Sequence, residues 1–172
     1  MATIALIIKP DKLDCGVGRY SQELGQSMKK AGINIVVVYP HVPLPKKIIQ
    51  LIYKVFSWDL EAFFLNYPIC IRYPAADIYH LASQNLATLM IFRRPPGITL
   101  LTVHDLIKHD FQSETKFSTF HKLVINISER FVLIGIRKVD WVIMDSNFSK
   151  FVLQSYVSYT APDTLLKLSK EI

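Results

Sequence analysis

Two histidines stand where chemistry is done. His80 lies in Asp77-Ile78-Tyr79-His80-Leu81 and His104 in Thr102-Val103-His104-Asp105-Leu106, each near the close of a short apolar run. An imidazole changes charge near neutral pH and can bind a hydroxyl or move a proton. A lone histidine is more often a satisfied structural residue than a catalytic one. Two at the ends of parallel strands point to a crevice, because ligands of such sheets bind beyond the carboxyl ends of the strands. His41, His109 and His121 lack this placement and read as surface or packing residues. No three side chains have metal-ligand spacing, so no metal is expected.

A second constellation is Gly16-Val17-Gly18-Arg19-Tyr20-Ser21, placed directly before a helical segment. Two glycines let backbone N–H groups approach an anion, and a helix N-terminus adds partial positive charge at the same place. A diphosphate or a sugar would fit there. Taken alone, the two glycines are explained by a tight turn. A dinucleotide site, and with it a nucleotide-dependent oxidoreductase, fits poorly. Ser21 replaces the third glycine of that fingerprint, and the second strand closes on Tyr39-Pro40 rather than an acid. A third group is Asp145-Ser146-Asn147-Phe148-Ser149-Lys150. Plain helix capping explains Ser146; the functional reading has its hydroxyl and the helix amides facing the crevice as well.

The elements that must position these residues follow from periodicity. Thr3–Ile8, Ile33–Tyr39, Asp77–Leu81, Ile98–Val103 and Asp140–Met144 read as strands, several of them continuous apolar runs suited to burial on both faces. Helical spacing is predicted for Val17–Ala31, with Gly32 at the C-cap position. Further helices are predicted from Pro45, over Asn85–Phe92, from Lys116 to Lys138 and over Asn147–Ser155. Leu60–Leu65 reads as a short strand or a loop. Strands separated by helices make an α/β fold with a mainly parallel sheet and helices on both faces.

Composition narrows the function classes. The chain has 172 residues, 51% apolar and 20% charged, with net charge +6. That suits one domain with a sizeable core, and neither a disordered tail nor a repeat array. Positive residues form small clusters at Lys29-Lys30, Lys46-Lys47, Arg93-Arg94 and Arg137-Lys138. With no long basic run interleaved with aromatics, nucleic acid is not expected as a partner. Cys15 and Cys70 are too few for a disulfide scaffold and fit reduced thiols in a cytoplasmic protein. The apolar start lacks a basic leader and a cleavage site. No apolar stretch reaches the ~18 residues of a membrane span.

Four segments, in this order, resemble the N-terminal domain of the family-4 retaining glycosyltransferases. Gly16-Val17-Gly18-Arg19-Tyr20-Ser21-Gln22-Glu23-Leu24 is similar to that family's first glycine loop. Asp77-Ile78-Tyr79-His80 and Thr102-Val103-His104-Asp105-Leu106 are similar to its two strand ends. Val139-Asp140 through Ser146-Asn147-Phe148-Ser149-Lys150 is similar to its last strand and helix start. The resemblance implies one Rossmann-like half of a GT-B fold, residues 1–160, and residues 161–172 as a truncated linker toward an absent donor-binding domain.

It further implies a nucleotide-sugar donor as substrate, a glycan or lipid-linked acceptor, and no cofactor or metal. Gly16, Val17, Gly18 and Arg19 would meet the donor diphosphate and sugar. His104 would lie beside the transferred sugar as the catalytic residue, with Asp105, Ser146, Asn147 and Ser149 lining the cleft and His80 and Tyr20 on the acceptor side. Hexosyl transfer, as in polysaccharide or glycolipid biosynthesis, would need the donor half, which a separate chain could supply. The alternative is a non-catalytic acceptor-binding or membrane-associated module. Pro45–Ser57 bears on it: Ile48, Ile49, Leu51, Ile52, Val55 and Phe56 recur at helical spacing beside Lys46, Lys47 and Lys54. Such a segment either covers the sheet or lies on an anionic bilayer at the inner face of the membrane.

Overall fold

The computed structural model describes residues 2–10, 16–104 and 119–144. The strands are β1 (Thr3–Ile7), β2 (Asn34–Val38), β3 (Ile78–Leu81), β4 (Ile98–Val103) and β5 (Trp141–Met144). All neighbours are parallel, in the order β2-β1-β3-β4-β5. The chain therefore leaves β1 in one direction to form β2 and passes to its other side for β3. This is a Rossmann-like α/β fold, and its strand order reverses between β1 and β3.

Alternation along the strands decides what lies on each face. Ala5, Ile7, Tyr79, Leu81, Leu101 and Val103 point into the larger core. There they meet Val132 and Ile136 of α5 (Thr119–Ile136). Leu86, Leu89 and Met90 join them from a 3₁₀ turn (Gln84–Thr88) that runs into α4 (Leu89–Phe92). Leu6, Ile8 and Ala82 point the other way, with Leu24 of α1 (Gly16–Lys30) packed against them. Helices thus cover both faces of the sheet.

Two glycines permit the close approaches this layering needs. A Cβ on Gly135 in α5 would stand 2.0 Å from the Ala87 carbonyl oxygen, so only glycine lets α5 and the 3₁₀ turn come together. At the end of α1, Gly32 adopts φ 77°. The Gly32 N–H donates to the Lys29 carbonyl at 3.0 Å and the Ile33 N–H to the Met28 carbonyl at 3.1 Å, closing the helix as a Schellman turn. Tyr67 also crosses between elements: its hydroxyl donates to the buried Glu129 carboxylate of α5. Burial, reinforced by that carboxylate, pushes the Tyr67 phenol well above its ordinary pKa.

The amino-terminal ends of the strands are stitched by two aspartates. Asp77 Oδ2 accepts from the Thr3 N–H at 2.7 Å. Asp140 Oδ2 accepts from the Thr99 N–H at 2.8 Å and from its hydroxyl at 2.7 Å, while the Asp140 N–H donates to Thr99 Oγ1 at 2.9 Å. Both lie at the end of the sheet opposite the expected crevice.

Three expectations are corrected here. Leu60–Asn66 is a helix, α3, whose Asp59 cap accepts from the Ala62 N–H at 2.9 Å. The glycines at 16 and 18 belong to the first turn of α1 itself and do not form a loop before it. The third concerns α2 (Lys46–Phe56). Of its apolar residues only Ile49 is buried, and its principal packing is on α3 rather than on the sheet. The predicted helix over Asn147–Ser155 lies outside the described residues, as do Cys15, His109 and the side chain of His121.

Candidate functional site

The α1 face of the sheet carries two polar side chains in an otherwise apolar layer. His80 of β3 and Thr102 of β4 are each 1% exposed. In the strand register His80 pairs with Leu100. Thr102 therefore sits on the same face as His80, one step nearer the carboxyl end. His80 Nε2 lies 2.9 Å from Thr102 Oγ1. The Tyr20 hydroxyl of α1 comes to 3.4 Å from the same oxygen. One residue beyond β4, His104 packs against Tyr20, with ring centroids 4.5 Å apart and planes at 78°.

Hydrogen bonding sets the histidine roles. His104 Nε2 lies 3.0 Å from the Ala82 carbonyl oxygen. A carbonyl only accepts, so Nε2 carries a proton. The His104 N–H meets Gln84 Oε1 at 3.5 Å. His80 is different. Burial, with the neighbouring His104 as a second cause, holds its pKa down to about 4, so it is neutral at physiological pH. Its Nδ1 is buried with no hydrogen-bond partner among the described residues, and Ser83 Oγ shares that condition. An orphaned acceptor costs less than an orphaned N–H donor. That favours the tautomer in which Nε2–H donates to Thr102.

The first turn of α1 rises beside this cluster from beyond the carboxyl end of β1. Gly16 and Arg19 are exposed, Val17 half-buried and Gly18 buried. First-turn amides have no carbonyl of their own helix to bond, and the helix dipole favours negative charge there. Farther along the same rim Lys9 Nζ donates to Asn66 Oδ1 at 2.7 Å, and Asn85 Nδ2 donates to the same oxygen at 2.8 Å.

Of the residues singled out in the sequence, the structure gathers Gly16, Val17, Gly18, Arg19, Tyr20, His80 and His104 about the carboxyl ends of β1, β3 and β4. Asp105, Ser146, Asn147 and Ser149 lie outside the described residues. Sequence reasoning missed Thr102 as a site residue. The signal for it was its place two residues before His104, which puts both on one face of the extended segment. The Ala82 carbonyl and Gln84 carried no signal, because their part depends on register between strands.

This arrangement can bind a polar ligand at a rim where an anion-favouring helix start faces an oriented imidazole. Comparison with protein-family models, with curated proteins and with solved structures finds no match for this chain. The class defined by fold and site is therefore a Rossmann-like α/β domain with a polar, histidine-bearing rim at its topological switch point.

Proposed function

We propose that this chain is the acceptor-side half of a retaining GT-B glycosyltransferase, one wall of a cleft that a donor-binding half completes. The observation carrying this reading is the convergence of the α1 start, through Tyr20, on His104 beside the switch point between β1 and β3. Those elements hold three of the four segments that resemble the family-4 enzymes. The reaction would break the bond between the sugar C1 and the leaving diphosphate and join C1 to an acceptor hydroxyl on the same face. The acceptor proton leaves with the nucleoside diphosphate.

In this reading the first turn of α1, Gly16 to Arg19, faces the diphosphate, where negative charge builds as the bond breaks. His104, fixed by the Ala82 carbonyl and the Tyr20 ring, lies beside the transferred sugar. His80 holds Thr102 from below. The second reading, a non-catalytic acceptor-binding module, draws on the exposed apolar face of α2. One experiment separates the two. The chain is combined with a GT-B donor-binding half, and transfer from a panel of nucleotide sugars is followed. Turnover that requires both chains and is lost in His104→Ala supports the enzyme. Acceptor binding without turnover across the panel supports the module.

A further inference from the structure

Helix α2 presents an apolar surface to solvent. Ile48 is 43% exposed, Leu51 61%, Val55 62% and Phe56 67%. Ile48, Leu51, Ile52 and Val55 recur at three- and four-residue spacing, so they form one stripe on the helix. Ile49, on another side, is the residue the helix buries. Lys47 and Lys54 lie four residues before and three residues after Leu51. They therefore edge the stripe, with Lys46 beyond them on the polar side; all three lysines are exposed. The helix has no acidic residue. Of the nearest acids in the chain, Asp59 is engaged as the α3 cap.

We propose that α2 is a peripheral docking surface for an anionic lipid bilayer, lying in the interface with Ile48, Leu51, Val55 and Phe56 among the acyl chains and the lysines at the headgroups. An apolar stripe edged by lysines is the pattern that binds in this way, because long stems let the ammonium groups stay in the polar layer. Eleven residues of helix span about 16 Å, which suits lying in the interface and not crossing it. Among the described residues no helix is long and apolar enough to cross a membrane. Charge distinguishes lipid from the rival occupant, a second copy of the chain. A two-fold interface sets the same patch against itself. Three lysines would then face three lysines with no acid on the helix to pair them. Docking would bring the rim toward the bilayer, since α2 packs on α3 and Asn66 at the end of α3 is tied to Lys9 and Asn85. The proposal does not depend on sugar transfer, because lipid binding is read on the protein alone.

The test is co-sedimentation of the full chain with vesicles of phosphatidylcholine alone and of phosphatidylcholine with phosphatidylglycerol as about one lipid in three. Wild type is expected to bind the anionic vesicles far more than the neutral ones, and less as salt is raised. Replacing the three lysines in K46Q/K47Q/K54Q should lower the partition coefficient roughly a hundredfold, at about fivefold per surface charge. L51S/V55S should lower it roughly tenfold or more by removing inserted apolar surface. Every substituted side chain is exposed, so both variants are expected to melt as wild type does. Equal partition of all three proteins overturns the proposal. So does a wild-type oligomer that ignores vesicles and dissociates in L51S/V55S, which would assign the face to a second copy. The salt series on wild type is decisive by itself if a variant fails to fold: binding that is the same on both vesicle types and indifferent to salt also overturns it.

Discussion

The rings of Tyr20 and His104 meet at 4.5 Å between centroids and 78° between planes, joining the first helix to the end of the fourth strand through one aromatic contact. The imidazole is held on two sides, by that ring and by the Ala82 carbonyl. A side chain so fixed pays little entropy when a ligand hydroxyl binds it.

That joint makes Tyr20 a positioning residue for His104. If the proposed transferase is reconstituted with a donor-binding half, His104→Ala is expected to lower kcat about 100-fold or more with the fold intact. Tyr20→Ala should lower kcat roughly tenfold by loosening the ring. Tyr20→Phe keeps the ring contact and should restore most of the activity. Steady-state kinetics of the three variants, with circular dichroism as the control, check this ordering. Unchanged turnover in His104→Ala would remove the imidazole from the mechanism.

The buried His80 links stability to pH. Its folded pKa, near 4, lies below the unfolded value of 6.5. Between those values the unfolded chain takes up a proton that the native chain refuses. Stability is therefore full above about pH 6.5 and falls as pH drops toward about 4, by on the order of 3 kcal/mol if the ring stays buried. His80→Gln removes the titrating group, so the slope in that window should flatten. Denaturant unfolding of wild type and variant across pH 4 to 7 measures the difference. Parallel slopes would show that His80 is not the group responsible.

Gly135→Ala tests the closest approach in the larger core. A methyl there would stand 2.0 Å from the Ala87 carbonyl oxygen and 2.6 Å from its carbon. Neither is the end of a flexible side chain, so α5 or the 3₁₀ turn must move. The expected loss is about 3 kcal/mol, at the upper end of ordinary overpacking, seen as a lower urea midpoint. Gly16→Ala meets nothing within 4 Å among the described residues and should leave the midpoint nearly unchanged.

The sheet was legible because its strands are apolar runs whose ends are marked by proline, glycine or a charge. Gly32 announced the end of α1 for a local reason, the left-handed turn it adopts. Leu60–Asn66 was not legible as a helix: seven residues rich in leucine and phenylalanine suit a strand as well, and only the Asp59 cap separates the two. For α2 the periodicity was plain and the partner was not. An amphipathic pattern fixes which residues share a face without saying what covers it. Local spacing sets Thr102 on one face with His104, but its contact with His80 arises from the register of β3 on β4, and no local pattern encodes that offset.

Asp77 and Asp140 clamp the strands at the end remote from His104. Mutational drift there meets the stability threshold first. At the opposite end, the rim residues take no part in that clamp, so their side chains are freer to change while the strands stay in register. Such a domain has room to acquire a new ligand preference by exchanging its rim, with the frame beneath left standing.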